Sequence, residues 1–212
     1  MALPAEKLIT INDRGARAAT TFGSLSAGGA NMVFIKKLTA SSSGTLSFVD
    51  GASSVVLDNT YKEYVFTFNN MHPATNDVAL KGNFTTDGTN FNVTKTTTWF
   101  GAVNDQDGTY TSLGYSTGRD LAQSTSDFTI SQSTGNENQS SISGYLHLFN
   151  PSSTTFVKHF TSVMSTDWGG LVGATNDFGA GYCNTTSAIT GFRVNFNSGN
   201  IDTGDICLYG IA

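Results

Sequence analysis

The sequence predicts an all-β protein: a single antiparallel β-sandwich preceded by an extended N-terminal arm. Val, Thr, Phe and Tyr are plentiful and strong helix formers are scarce, a composition that favours strands. Apolar and polar residues also alternate in many short segments, and turn-forming residues separate these segments. The 212 residues are enough to bury one substantial core.

The clearest element is the segment 141–161, in which two alternating runs flank the turn cluster Asn150–Ser153. One face of the first run carries the aliphatic side chains of Ile142, Leu146 and Leu148. The other face carries the rings of Tyr145, His147 and Phe149. This pattern predicts a β-hairpin with one buried face and one exposed face.

Residues 1–31 differ from the rest because they are rich in Gly and Ala and only weakly apolar. A short strand is possible at 8–11, but no self-contained fold is indicated. We therefore predict two parts, an arm at 1–31 and a sandwich domain at 32–212. The residues that we expect to contact a partner through the arm are Ile9, Ile11, Arg14 and Arg17.

Strand patterns begin at Met32 and are spaced as in a sandwich, without intervening helical segments. The first six predicted strands are Met32–Leu38, Gly44–Val49, Ser53–Leu57, Tyr61–Asn69, Asp77–Thr85 and Phe91–Trp99. Residues 101–140 are the least regular stretch, with a few short strands such as 128–130 threaded through it, and we predict a surface excursion with a functional role. The later predicted strands, beyond the hairpin, are Ala180–Cys183, Ile189–Asn197 and Ile206–Ile211.

Composition and charge exclude several classes of partner. A net charge of −5 makes binding to nucleic acid or to an anionic membrane unfavourable. No apolar run reaches the length of about 20 residues that spans a bilayer. The N-terminus lacks the pattern of a signal peptide, so we expect synthesis in a cytoplasm without export. Cys183 and Cys207 are interpreted as buried thiols, with a disulfide between them left open.

Two groups of residues resemble metal sites but do not complete one. His147 and His159 lie on the two arms of the predicted hairpin and would face each other if the loop holds five residues, yet no third ligand is evident. The segment 104–108 has the acidic character of a calcium loop, but Gly114 stands where an EF-hand needs Glu. A plain turn is favoured there, and a calcium site built from several loops stays open.

The segment 114–118 matches the letters of the Gly-x-Ser-x-Gly nucleophile elbow, with Ser116 at its centre. Asp120 or Asp127, followed by His147, would complete the chain order of a triad. That elbow needs a strand-to-helix turn above a mostly parallel sheet, and no helical pattern follows here. Converging carboxylates and phosphate loops are also missing, so we expect neither enzymatic activity nor a cofactor.

Exposed aromatic residues are the better indication of binding. Trp99, Phe100, Tyr110, Tyr115 and Trp168 are predicted to lie at strand ends or in loops. Rings in such positions can stack on sugars or on a partner protein. The alternative is ordinary packing in the core or at a sheet edge.

Several short sequence segments, each covering part of a predicted strand or turn, resemble those of a known group of proteins. These segments are Tyr61–Tyr64, His72-Pro73, Gly144–Pro151, Asn184–Thr186, Ser198–Ile201 and Leu208–Gly210. Together they look like the small β-sandwich virion proteins of marine tailed bacteriophages, over about residues 32–212. The resemblance implies a component of the virus particle, and it carries over no binding residues because it contains no catalytic or ligand-binding signature.

These observations lead to two functional hypotheses for an all-β sandwich of jelly-roll type. The first is a non-enzymatic phage virion structural protein, a head decoration or cement protein at the virion surface. Its residues 1–31 would dock on the major capsid protein or on a neighbouring copy, with Arg14 and Arg17 pairing with acidic groups, and we expect a homo-oligomer. The alternative is a receptor- or glycan-binding module of a tail fibre, using 101–140 with Trp99, Tyr110 and Trp168.

Overall fold

A computed structural model of the chain describes residues 32–167 and 173–212. These residues form thirteen strands and no helix, so none of them lies in a helix that could cross a membrane. The strands are β1 (Met32–Ser43), β2 (Leu46–Val49), β3 (Glu63–Pro73), β4 (Val78–Thr85), β5 (Lys95–Asp105), β6 (Thr111–Tyr115), β7 (Leu121–Ser124), β8 (Phe128–Thr134), β9 (Ile142–Phe149), β10 (Lys158–Asp167), β11 (Gly173–Cys183), β12 (Gly191–Phe196) and β13 (Ile201–Ile211).

The strands form two antiparallel sheets. The larger sheet has the order β1-β13-β3-β9-β10-β11-β5-β6, with β7 also paired to β5. The smaller sheet has the order β2-β12-β4-β8. The predicted all-β, antiparallel class is therefore confirmed.

The inner faces of the two sheets pack on each other in a sandwich-like arrangement. Phe84 of the smaller sheet lies 5.0 Å, centroid to centroid, from Phe160 of the larger sheet. Phe66 of the larger sheet lies 4.8 Å from Phe192 of the smaller one. Alternate residues of each strand enter this core because successive side chains of a strand point to opposite faces.

The predicted hairpin is formed by β9 and β10, which pair antiparallel. Its aliphatic face is fully buried, whereas Tyr145 and Phe149 on the other face are exposed. The connecting loop is longer than the five residues considered from the sequence, and Thr161 lies opposite His147. The two histidines therefore do not face each other across the hairpin.

The strand predicted at Ser53–Leu57 is wrong. Val55 and Leu57 are buried, as their alternation suggests, but they reach the core from an irregular segment that follows a turn. Ser53 and Ser54 both have positive φ, of 49° and 66°, which breaks the extended backbone. The Leu57 amide then donates to Asp50 Oδ1 instead of to a neighbouring strand.

The segment 101–140 contains short strands, as expected, but it is more regular than predicted because its strands belong to the two sheets. The strand predicted at Phe91–Trp99 begins only at Lys95 and continues to Asp105, and β6, β7 and β8 follow it. Every residue of β6 is exposed, so its sequence lacks the alternation of apolar and polar residues that marks a strand with one buried face. The segment broadens the larger sheet and supplies one edge strand, β8, of the smaller sheet.

Some predictions fall outside the described residues. The proposed arm at 1–31, with Ile9, Ile11, Arg14 and Arg17, is one of these, and Trp168 is another.

Candidate binding site

The inner face of the larger sheet changes from apolar to polar where β11 runs beside β5. Asp177 and Gly101 are register partners there, and Trp99 lies two residues before Gly101 on the same face. The glycine leaves room for both neighbours. A methyl group at position 101 would lie 2.8 Å from Trp99 Cη2 and 3.1 Å from Asp177 Oδ1.

Asp177 is a fully buried carboxyl group. Its Oδ2 accepts a hydrogen bond of 2.6 Å from the Gln132 backbone N–H, and its Oδ1 has no hydrogen-bond partner within 32–167 and 173–212. Burial raises the pKa of Asp177 to about 6, although the charge of Arg119 acts in the opposite direction.

Two buried donors next to this carboxyl are also unpartnered within the described part of the chain. They are Trp99 Nε1 and Gln132 Nε2. The Arg119 guanidinium lies over the Trp99 ring, 4.8 Å from its centroid, and Arg119 Nη1 donates to Ser116 Oγ at 3.4 Å. Buried polar groups are nearly always hydrogen-bonded, so such a concentration is unusual for a structural core.

A cavity of about 180 Å³ lies over this cluster, with exposed residues of the edge strand β6 on one side. Its lining consists of Trp99, Gly101, Val103, Ser112, Gly114, Tyr115, Ser116, Arg119 and Gln132. Gly101 and Gly114 are cross-strand partners, and an added methyl group at Gly114 would meet no atom within 4 Å. The arrangement can bind a small polar molecule.

The outer face of the larger sheet carries a second feature, which we call the outer apolar row. Five adjacent strands each place one apolar or aromatic side chain at the same register level: Tyr145, Val163, Phe178, Phe100 and Tyr115. Phe100 and Phe178 stack with their centroids 4.8 Å apart. Three members of the row are 40–55 % exposed.

A shallow groove of about 470 Å³ runs beside the outer apolar row. Small side chains form most of its surface, including those of Ala102, Ser143, Ser165 and Asn176. Contiguous exposed apolar surface of this kind usually marks an interaction site.

The structure separates the aromatic residues that the sequence grouped together. Trp99 lies in the middle of β5 with 3 % of its surface exposed, so the expectation of a Trp at a strand end is wrong. Tyr110 lies in the β5–β6 turn and is 46 % exposed. Tyr115 lines the cavity together with Trp99.

The residues of the nucleophile-elbow pattern contact different partners. Ser116 accepts from Arg119, and Asp120 accepts from the Tyr115 hydroxyl at 2.5 Å. Asp127 binds Asn83 and Arg193. On the other face of the larger sheet, His147 Nδ1 lies 2.5 Å from Glu63 Oε1.

The acidic segment 104–108 belongs to the end of β5 and the turn that follows. The Thr109 hydroxyl donates to Asp105 Oδ2 and to Asp107 Oδ1, and Gly108 has a φ of 71°. No group of three or more His, Cys, Asp or Glu side chains suited to a metal ion occurs in the ranges that the structure describes.

Both cysteines are free thiols. Cys183 lies between Lys158 and Lys95 in register on three adjacent strands. Burial raises the pKa of the Cys183 thiol to about 12 and lowers that of the Lys95 amine to about 8. Each lysine amine donates to backbone carbonyls, Lys95 to Val93 and Lys158 to Thr185 and Ser187, so this row has a structural explanation.

No protein-family model, curated protein or solved structure matches this chain.

Sequence reasoning missed three residues of the site, Arg119, Gln132 and Asp177. Asp177 lies six positions before the buried Cys183, which places both on one face of a strand. This spacing indicates a shared face only if the strand includes residue 177, whereas the strand predicted from the sequence begins at Ala180. Gln132 and Arg119 belong to the segment without a regular period.

Proposed function

We propose that this chain is a non-enzymatic structural protein of a tailed-phage virion, a head decoration or cement protein at the virion surface. The proposal has three supports: the resemblance of residues 32–212 to small β-sandwich virion proteins, the order of the strands, and the outer apolar row.

The order of the strands supports a sandwich of jelly-roll type. Eight strands form four antiparallel pairs in which early strands pair with late ones, as in a long hairpin folded over on itself. These pairs are β1 with β13, β2 with β12, β3 with β9, and β4 with β8. The resulting sheets, β1-β13-β3-β9 and β2-β12-β4-β8, follow the two Greek keys of that fold. Viral capsid domains and lectins both use this architecture.

The remaining strands widen one sheet only. β10, β11, β5 and β6 continue the larger sheet beyond β9, and the outer apolar row crosses these added strands. Exposed aromatic rings on a rigid sheet are suited to a stable protein interface, because rings bury large areas at low entropic cost. The outer apolar row is therefore the observation that carries the proposal, with another virion protein as its partner.

Residues 1–31 keep their proposed role in docking. They precede Met32, the first residue of β1, and β1 is an edge strand of the larger sheet among the described residues. An attached segment that orders on binding can cover a wide area of a capsid surface.

The test is quantitative mass spectrometry of purified particles, with the copy number of this chain compared to that of the major capsid protein. Hundreds of copies would support a head decoration protein, a few dozen a tail or fibre component, and complete absence would contradict a virion role. A chain with Phe100→Ser and Tyr145→Ser removes two rings of the outer apolar row. We expect about tenfold fewer copies per particle, because central aromatic residues dominate binding energy.

The matched control is Phe156→Ser, since Phe156 is 69 % exposed in the β9–β10 loop and lies outside the row. It should be incorporated normally. A chain lacking residues 1–31 should remain folded and should not join particles. Normal incorporation of the double variant would contradict a role for the row, and normal incorporation of the shortened chain would contradict docking through residues 1–31.

The second candidate function is a receptor- or glycan-binding module of a tail fibre or other appendage. One observation favours it, the cavity beside Trp99 with its unpartnered buried donors and acceptor.

A further inference from the structure

We propose that the cavity between β5, β6 and β8 binds one neutral sugar unit, a single pyranose ring of a glycan. This inference rests on the second candidate function and assigns its binding site. It does not depend on the outer apolar row, which lies on the opposite face of the larger sheet.

The size of the cavity fits one sugar ring. Its volume of about 180 Å³ equals roughly six water molecules at about 30 Å³ each. Pockets for drug-sized ligands measure roughly 300–1,000 Å³. A longer glycan would place one ring in the cavity and continue outwards past the exposed edge strand β6.

The hydrogen-bonding groups fit a ligand that both donates and accepts. Trp99 Nε1 and Gln132 Nε2, on two residues that line the cavity, are donors without a partner among the described residues. Asp177 Oδ1 is an acceptor that also has no partner there, and it lies directly behind Gly101, outside the cavity lining. The side chains of Trp99, Gln132 and Asp177 are each more than nine-tenths buried. The hydroxyl oxygens of Ser112 and Ser116 supply acceptors in the lining itself. A sugar hydroxyl offers one donor and two acceptor sites, so neighbouring hydroxyls can satisfy such a mixed set.

Charge argues against an ionic ligand. An anion would be attracted by Arg119 at the cavity but repelled by the Asp177 carboxylate behind Gly101. A cation would be attracted by Asp177 but repelled by Arg119. A neutral polar molecule avoids both conflicts. Because leaving a buried polar group unsatisfied costs about 1–3 kcal/mol, a ligand that pairs these groups gains affinity and selectivity.

Access is controlled by the side chains at the mouth. Arg119 covers one face of the Trp99 ring, and its long side chain must rotate for a sugar to reach the indole. Gly114 and Ser112 lie on the exposed edge strand and leave the opening clear. Tyr115 contributes its backbone to the lining, because its ring belongs to the outer apolar row on the opposite face.

The test is an NMR titration of the full ¹⁵N-labelled chain with methyl glycosides of glucose, galactose, mannose and N-acetylglucosamine. The readout is the indole N–H resonance of Trp99, assigned with the aid of Trp168→Phe. We expect at least one glycoside to shift it saturably with a dissociation constant of about 1 mM, the range for so small a ligand.

Gly114→Leu is the blocking variant, because its side chain would enter open space in the cavity. It should weaken binding at least tenfold, and Ser112→Leu provides an independent second block. Gly118→Leu is the matched control, since an added methyl group at Gly118 also meets no atom within 4 Å and this residue does not line the cavity. The control should bind like the unsubstituted chain.

Three outcomes would overturn the proposal. The first is that no glycoside shifts the Trp99 indole resonance at concentrations up to about 50 mM, well above the expected dissociation constant. The second is that Gly114→Leu and Ser112→Leu, with otherwise unchanged spectra, bind a glycoside as tightly as the control variant does. The third is that inorganic phosphate shifts the Trp99 resonance while the glycosides do not. Because the purified chain is used, these results are independent of incorporation into particles, and either proposal can fail without the other.

Discussion

The interior of this protein has two regions that differ in the interactions that their buried side chains make. In one, the rings of Phe84, Phe128, Phe160 and Phe192 form a closely packed cluster with centroids 4.7–6.4 Å apart. In the other, around Asp177, buried polar atoms lie beside a cavity without hydrogen-bond partners among the described residues. Both regions lie between the two sheets: the aromatic cluster joins β4, β8 and β12 of the smaller sheet to β10 of the larger one, and the polar region joins β5 and β11 of the larger sheet to β8.

The comparison separates stability from binding. The aromatic cluster contains no polar side-chain atoms, so close packing alone accounts for it. The polar region lowers stability, since every unpartnered buried group carries a desolvation cost. Such a cost is typical of groups that serve a ligand, which supports the binding site that we propose at the polar region.

The largest effect is expected in the aromatic cluster. Phe84 is fully buried and contacts rings from both sheets, so Phe84→Ala removes many contacts and leaves a cavity. We expect a loss of about 3–5 kcal/mol in the free energy of unfolding, measured by urea denaturation. The exposed Phe156→Ala is the control and should change that free energy by less than about 0.5 kcal/mol. A loss below about 1 kcal/mol for Phe84→Ala would mean that this region is not tightly packed.

The second effect is pH-dependent and belongs to the polar region. The pKa of Asp177 is raised by burial from 3.8 to about 6, so the folded state binds a proton more tightly than the unfolded state. Its stabilising contribution is complete below about pH 4 and is lost as pH rises through 6. Asp177→Asn stays neutral and can still accept from the Gln132 amide, so it should lack this loss.

The measurement is the difference in unfolding free energy between Asp177→Asn and the unsubstituted chain, followed from pH 4 to pH 7. The difference should rise in favour of the variant by at most about 3 kcal/mol, because one pKa unit corresponds to about 1.4 kcal/mol. Carboxyl groups with lowered pKa, such as Asp205, cancel in this comparison. A difference that is independent of pH would show that Asp177 titrates normally.

The aromatic region could be predicted from the sequence and the polar region could not. Tyr64, Phe66 and Phe68 alternate with residues of the opposite face, and this period-two signal is strong wherever one face is buried. Edge strand β6 is exposed throughout, so it carries no such signal. The sequence pattern therefore predicts a strand that ends at Trp99, whereas the strand continues for six more residues. The residues that β8 and β11 bring close to Trp99 are distant from it in sequence.

The smallest expected change in stability comes from substitutions at two glycines that are paired across β5 and β6. At Gly101 an added methyl group would press against the buried Trp99 ring at 2.8 Å, whereas at Gly114 it would meet nothing within 4 Å. Gly101→Ala should therefore lower the unfolding free energy by about 1–3 kcal/mol through overpacking. Gly114→Ala should raise it by about 0.4–1 kcal/mol, because alanine restricts the unfolded chain. Urea midpoints of the two variants test this, and shifts of equal sign and size would mean that no open space separates β6 from the polar region.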